Sequence, residues 1–351
     1  MWGRPAVKYL AGLLLAGILL AWVLRGADLR AISEQFRQAS LPMLALCAAL
    51  NLGHTAFRVW RWRALLEPVR REIPFRPMFD AVILGYWTSW VVPGRLGELV
   101  RPALLAGRQR LPLGPCLGSV VSDRLLDAAA MLALFTVGLA ITPLGGEAAA
   151  HAAWIRGGSF GLVGLFSLPL LLLLLVSTFG RRRQPAAGGR IRARLARMLL
   201  SLAQGTDALR RPRLLFKVLL HSMLAWTAIT VGTWIGIRAC GVEIPLGAAW
   251  IILPLLALGI ALPTPGGAGG YHAAMIFGLT QLFAVPETLA VGAAFLVHAV
   301  VIVPFILLGS LLLLVERLPF HDLLEAARQL RGAPASSSSV LAPIRAAEKA
   351  S

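Results

Sequence analysis

The chain has 351 residues, of which 58% are hydrophobic and only 14% charged, and it carries 34 Lys and Arg against 16 Asp and Glu for a formal charge of +18. A mean hydropathy of +0.75 excludes a soluble globular domain, which cannot hide so much apolar surface. The positive excess is gathered in loops, so it points to membrane topology and anionic lipid rather than to nucleic acid.

The start, MWGRPAVKYLAGLLLAGILLAWVLRGA, has a basic head and a long apolar run. A cleaved signal peptide is the alternative, but the run is long and Arg25 stands where small cleavage-site residues belong. We read it as a first span. A bilayer core needs roughly 20 apolar residues per helix. Windows of that kind fall at 7–24, 41–60, 118–142, 155–179, 214–238 and 288–315. Two shorter stretches, 77–93 and 247–265, are broken by Pro and Gly.

Arginine placement orients the spans. The basic segments 58–76 and 181–217 are expected in the cytoplasm, whereas 143–154 and 263–288 lack Lys and Arg and are expected outside. The loop 25–40 must then also lie outside, although it holds Arg25, Arg30 and Arg37. Both termini fall in the cytoplasm, and the two short segments must enter the membrane and return.

The halves correspond. Spans beginning near 41 and 214, short segments ending at Pro93 and Pro263, and spans beginning near 118 and 288 are all offset by roughly 170 residues. The expected fold is therefore an all-α integral membrane protein of about six transmembrane helices and two re-entrant hairpins in an inverted repeat. A transmembrane domain covers 1–320, with repeat halves at 41–142 and 214–315 and a basic cytoplasmic loop at 181–213. The segment 190–211 reads as a basic amphipathic helix on anionic lipid, and the low-complexity tail 321–351 as disordered and cytoplasmic.

Charge within so apolar a chain marks a site. VVPGRLGELVR (91–101) places Arg95, Glu98 and Arg101 three residues apart, with Glu98 and Arg101 able to pair. In SVVSDRLLDAAAMLAL (119–134), Asp123 and Asp127 share one helix face beside Arg124. One reading is a structural salt-bridge cluster, since three arginines and three carboxylates balance. The other is a site whose arginines bind a lipid phosphate, which their planar forks suit, while the carboxylates hold and gate them. Pro93, Gly94 and Gly97 would shape the first hairpin turn.

LPTPGGAGGYHAAM (262–275) would shape the second through Pro263, Pro265, Gly266, Gly267 and Gly269. His272 behind it is a candidate proton carrier or a hydrogen-bonded structural residue. HTAFRVWRWRALL (54–66) sets His54, Arg58 and Arg61 on one face among tryptophans. That is an interfacial belt, or a funnel in which Arg58 and Arg61 recruit lipid from the inner leaflet. Cys47, Cys116 and Cys240 form no CxxC and no disulfide framework. The sequence holds no Walker A, HExxH, GxSxG, dinucleotide fingerprint or metal spacing, so no cofactor is expected.

PGRLGELVR followed by SDRLLD, with RWRALL upstream and PTPGGAGG downstream, resembles the flippase-like family, the transmembrane region of lysylphosphatidylglycerol synthases and its stand-alone relatives. The resemblance covers roughly residues 5–318. It implies a multi-pass inner-membrane protein that moves a phospholipid or glycolipid between leaflets, without the soluble aminoacyl-transferase domain of the full synthases. It carries over to Pro93, Gly94, Gly97, Glu98, Arg101, Arg124 and Asp127. Asp123 stands where the family usually has Glu, and His272 stands near a frequent acidic position. Other readings are a membrane enzyme using Asp123 and Asp127 as acid/base or metal ligands, and a non-catalytic partner of a separate lipid-modifying enzyme.

Overall fold

The computed structural model describes residues 4–25, 27–92, 96–154, 157 and 206–316. All the regular structure among them is helical. Among the described residues, three helices are long and apolar enough to cross a membrane: α6 (Leu113–Ile141), α8 (Pro212–Ala239) and α11 (Glu287–Val315). A bent pair, α2 (Leu29–Gln38) and α3 (Leu41–Leu66), reaches the same criterion together across an 83° turn. The protein is thus a membrane protein. The apolar part of α1 (Arg4–Val23), Leu10–Val23, and α9 (Leu246–Ala261) are shorter apolar helices, and α7 (Gly146–Ala150) is a short turn after α6. The expected span at 155–179 and the tail 321–351 lie outside the described residues.

Local chemistry sets the boundaries. Asp28 caps α2, its carboxylate accepting from the N–H groups of Arg30 at 2.9 Å and Ala31 at 3.1 Å. The stretch 25–40, expected as a loop, is therefore largely a helix. Pro42 opens α3 and Pro212 opens α8, positions where a missing N–H costs nothing. α3 runs on to Leu66, beyond the expected end at 60, so Arg58, Arg61 and Arg63 are helical rather than loop residues.

α4 (Phe75–Val91) and α5 (Gly97–Arg108) lie side by side as a hairpin. Gly85 and Gly97 meet where the arms are closest. A Cβ on Gly85 would stand 3.1 Å from the Gly97 carbonyl oxygen, and one on Gly97 would collide with the Gly85 carbonyl. The second hairpin, α9 and α10 (Gly270–Phe277), closes on Gly259 and Gly270, where either Cβ would again strike the opposite carbonyl. Backbone approach this close requires glycine on both sides.

The helix contacts fall into matching pairs with partners exchanged. α4 rests on α11, and α9 rests on α6. Trp87 of α4 donates to Ser310 Oγ of α11 at 3.0 Å, and Gly138 of α6 abuts Trp250 and Ile251 of α9. α5 lies on α6 as α10 lies on α11. α3 and α8 pack along each other at the centre, with Gly232 and Gly236 admitting Asn51 and Cys47.

The described end of the basic loop is a short 3₁₀ turn, Asp207–Arg210. Ala208 and Leu209 are buried there with Ala64, Leu65, Leu126, Leu214 and Val218, so this end docks into the bundle. The rest of the expected surface helix at 190–211 lies outside the described residues.

Candidate functional site

Four arginines and three carboxylates converge where α3, α5 and α6 meet. Arg61 reaches Asp123 at 2.6 Å and Asp127 at 2.8 Å. Arg58 reaches Asp127 at 2.6 Å and Asp123 at 3.3 Å. Arg101, from the first hairpin, reaches Asp123 at 3.0 Å. Arg124 lies 3.1 Å from Asp123, 3.3 Å from Asp127 and 3.4 Å from Glu98.

Helical spacing builds this arrangement. Arg58 and Arg61 are i,i+3 on α3, and Asp123 and Asp127 are i,i+4 on α6, so each helix presents a pair toward the other. The α4–α5 hairpin delivers Arg101 and Glu98. Supporting contacts fix the forks. Arg61 Nη1 donates to Ser222 Oγ of α8 at 3.2 Å. The Arg101 guanidinium lies 4.7 Å above the centre of the Trp62 ring, whose Nε1 donates to Ser119 Oγ at 2.9 Å.

The cluster is graded in depth. Arg61 is 0% and Asp123 1% exposed, whereas Arg124 and Glu98 stand at 38% and 36%. Arg124 and Glu98 are therefore the open rim of the described cluster. Four guanidinium groups face three carboxylates, so the described cluster carries one positive charge in excess. Asp123 alone touches four arginines.

Two expectations change here. Glu98 does not pair with Arg101. It pairs with Arg124, and Arg101 turns to Asp123, because α6 offers each a partner closer than the other. Arg58 and Arg61 stand in the cluster with both aspartates, so the described part of the cluster holds four arginines and three carboxylates. Pro93, Gly94 and Arg95 lie outside the described residues.

At the second hairpin, Gly266, Gly267 and Gly269 take φ of 64°, 66° and 80°, a left-handed backbone that only glycine adopts without cost. Pro263 and Pro265 flank Thr264 in this turn, which meets the first hairpin where the Trp90 ring approaches Gly267. His272 Nδ1 accepts a hydrogen bond from the Gly269 N–H at 3.2 Å. That lone pair is needed for the bond, so protonating Nδ1 would break it. His298, a lesser candidate for the same role by sequence, stands beside it: the rings are 4.6 Å apart, and His298 Nε2 donates to the Gly266 carbonyl at 3.0 Å. Tyr271 stacks on His298 at 4.3 Å. Nothing in the sequence ties His298 to a turn 32 residues earlier.

The profile of the family described as Lysylphosphatidylglycerol synthase TM region matches residues 9–309. The chain belongs to this family. The lysylphosphatidylglycerol synthase region thus includes both hairpins and every member of the charged cluster. A relative, the glycosyltransferase AglD of Haloferax volcanii, is 26% identical over 328 residues, covering 84% of this chain and 52% of the relative. The chain spans about half the length of the curated relative it matches.

Proposed function

We propose that this protein moves an anionic or phosphate-bearing lipid between the leaflets of a bacterial inner membrane. The observation that carries the reading is the buried arginine–carboxylate cluster, with one positive charge in excess among its described residues, and its outer, partly exposed Arg124–Glu98 pair. Charges at membrane depth are costly and normally pair toward the protein interior. A purely structural cluster has no need of an unbalanced cation. A lipid phosphate supplies the missing negative charge, and guanidinium forks take it in a bidentate grip. Glu98 competes for Arg124 until the phosphate arrives, and Arg101 and Arg124 take the headgroup while Asp123 and Asp127 hold the other arginines.

The architecture proposed around it has six spans and two re-entrant hairpins as an inverted repeat, with both termini and the basic segment 181–213 on the cytoplasmic side. The exchanged packing of α4 on α11 and α9 on α6, and the glycine pairs Gly85–Gly97 and Gly259–Gly270, support it.

The alternative is a membrane enzyme on a lipid-linked substrate, which the name of the AglD relative favours. For a metal-assisted reaction the obstacle is electrostatic: Asp123 and Asp127 are already neutralised by arginines that would repel a divalent cation. A third reading is a non-catalytic partner of a lipid synthase. It calls for co-purification with that enzyme and no exchange by the protein alone.

The test is leaflet exchange of labelled anionic phospholipids in proteoliposomes, comparing the wild type with Glu98→Gln and Arg101→Ala. Exchange that falls in both variants supports transport. Undiminished exchange in both sinks it.

A further inference from the structure

α2 is the element that the charge rules fit least, because it carries arginines on a side expected to lack them. Its stripe Leu29, Ile32, Ser33, Phe36 and Arg37 lines one open depression, at the spacing of one helix face. Leu29 is 66% and Phe36 40% exposed, with Ile32 buried between them at the floor of the depression. Arg37 ends the stripe, and Arg30 is exposed beside it. The opposite side is anchored: Gln35 Nε2 donates to the Cys240 carbonyl at 2.8 Å and the Leu289 carbonyl at 3.1 Å. These carbonyls belong to the end of α8 and the start of α11. The Ser40 N–H, at the bend, donates to the Ala239 carbonyl at 2.9 Å.

The place matters. α2 turns 83° from α3 and so runs across the bundle end rather than along it. Leu41 and Arg58 are separated by about 25 Å of α3 at 1.5 Å per residue, so α2 and the arginine cluster occupy opposite ends of that span. A helix lying across such an end, with an apolar stripe and flanking arginines, has the chemistry of a membrane-surface helix.

We propose that the α2 stripe holds an anionic phospholipid of the leaflet opposite the arginine cluster. The upper acyl chain lies along the exposed Leu29 and Phe36, and the phosphate meets Arg37 and Ser33. This rests on the transport reading, for which it provides a lipid station in the leaflet opposite the arginine cluster. It also gives Arg30 and Arg37 a reason to stand on a face where the positive-inside bias disfavours them.

The experiment places a photo-crosslinking benzoylphenylalanine at Phe36 in the full chain, in nanodiscs of phosphatidylcholine with phosphatidylglycerol. Mass spectrometry then reads the adducts, with and without Arg37→Gln. Arg37 is exposed, and a thermal melt checks that the variant is folded. The expected result is phosphatidylglycerol adducts enriched about fivefold over the bulk ratio, the size one arginine supplies near anionic lipid, and lost in Arg37→Gln. Adducts at the bulk ratio in both proteins overturn the proposal, as do adducts to protein alone. The crosslink needs no transport, so the two readings fail separately. Enrichment without leaflet exchange keeps the lipid site and removes the flippase. Exchange without enrichment removes only the lipid site.

Discussion

Arg61 and Asp123 form an ion pair at 2.6 Å in which neither side chain is more than 1% exposed. Such a pair cannot be halved cheaply, because the charge left behind has no water to turn to. Its surroundings make the asymmetry sharper: among the described residues, Asp123 serves four arginines, Asp127 three and Glu98 one.

Stability of the carboxylate variants follows that order. Asp123→Asn is expected to cost about 3–5 kcal/mol, the usual cost of breaking a buried pair from one side. Asp127→Asn costs less, and Glu98→Gln costs about 0–1 kcal/mol because its pair is partly exposed. Thermal melts in nanodiscs give the ranking. Equal shifts for all three would mean that the cluster is not graded in depth.

The hairpins depend on bare backbone. Gly97→Ala and Gly259→Ala each set a methyl against the opposite carbonyl and are expected to cost about 1–3 kcal/mol through overpacking. Gly53→Ala meets open space in the middle of α3 and is expected to be neutral or to stabilise by up to about 1 kcal/mol. The contrast is read from folded yield and melting temperature across the set.

His272 is expected to act through its bond to Gly269 rather than as a proton carrier. His272→Asn keeps an acceptor on a short side chain, so it should preserve melting temperature and leave the pH profile of exchange unchanged. His272→Ala removes the acceptor and is expected to cost about 1 kcal/mol, as a lost helix cap does. A pH profile flattened by His272→Asn would restore the carrier role.

The long apolar helices were legible because a bilayer imposes a length that any hydropathy window detects, and α6, α8 and α11 sit within a few residues of the expected spans. α2 was not read, since its three apolar contacts are diluted by charge; Asp28 as a cap was the available signal. Within the site, Asp123, Asp127 and Arg124 were legible from local helical spacing. The pairing of Arg58 with the same aspartates was not, because 65 and 69 residues separate the partners and only tertiary packing unites them. For the same reason local spacing showed only that Glu98 and Arg101, neighbours on one helix, were able to pair, whereas each finds its ion-pair partner on α6.

The most direct measurement is leaflet exchange by Arg124→Gln against wild type in proteoliposomes, using one labelled phosphate-bearing lipid and one labelled diacylglycerol as a lipid without phosphate. If the outer guanidinium receives the headgroup, exchange of the phosphate-bearing lipid falls about tenfold, equivalent to about 1.4 kcal/mol, and the diacylglycerol rate does not change. Equal rates for the phosphate-bearing lipid in both proteins would contradict the account, leaving the cluster as scaffold alone.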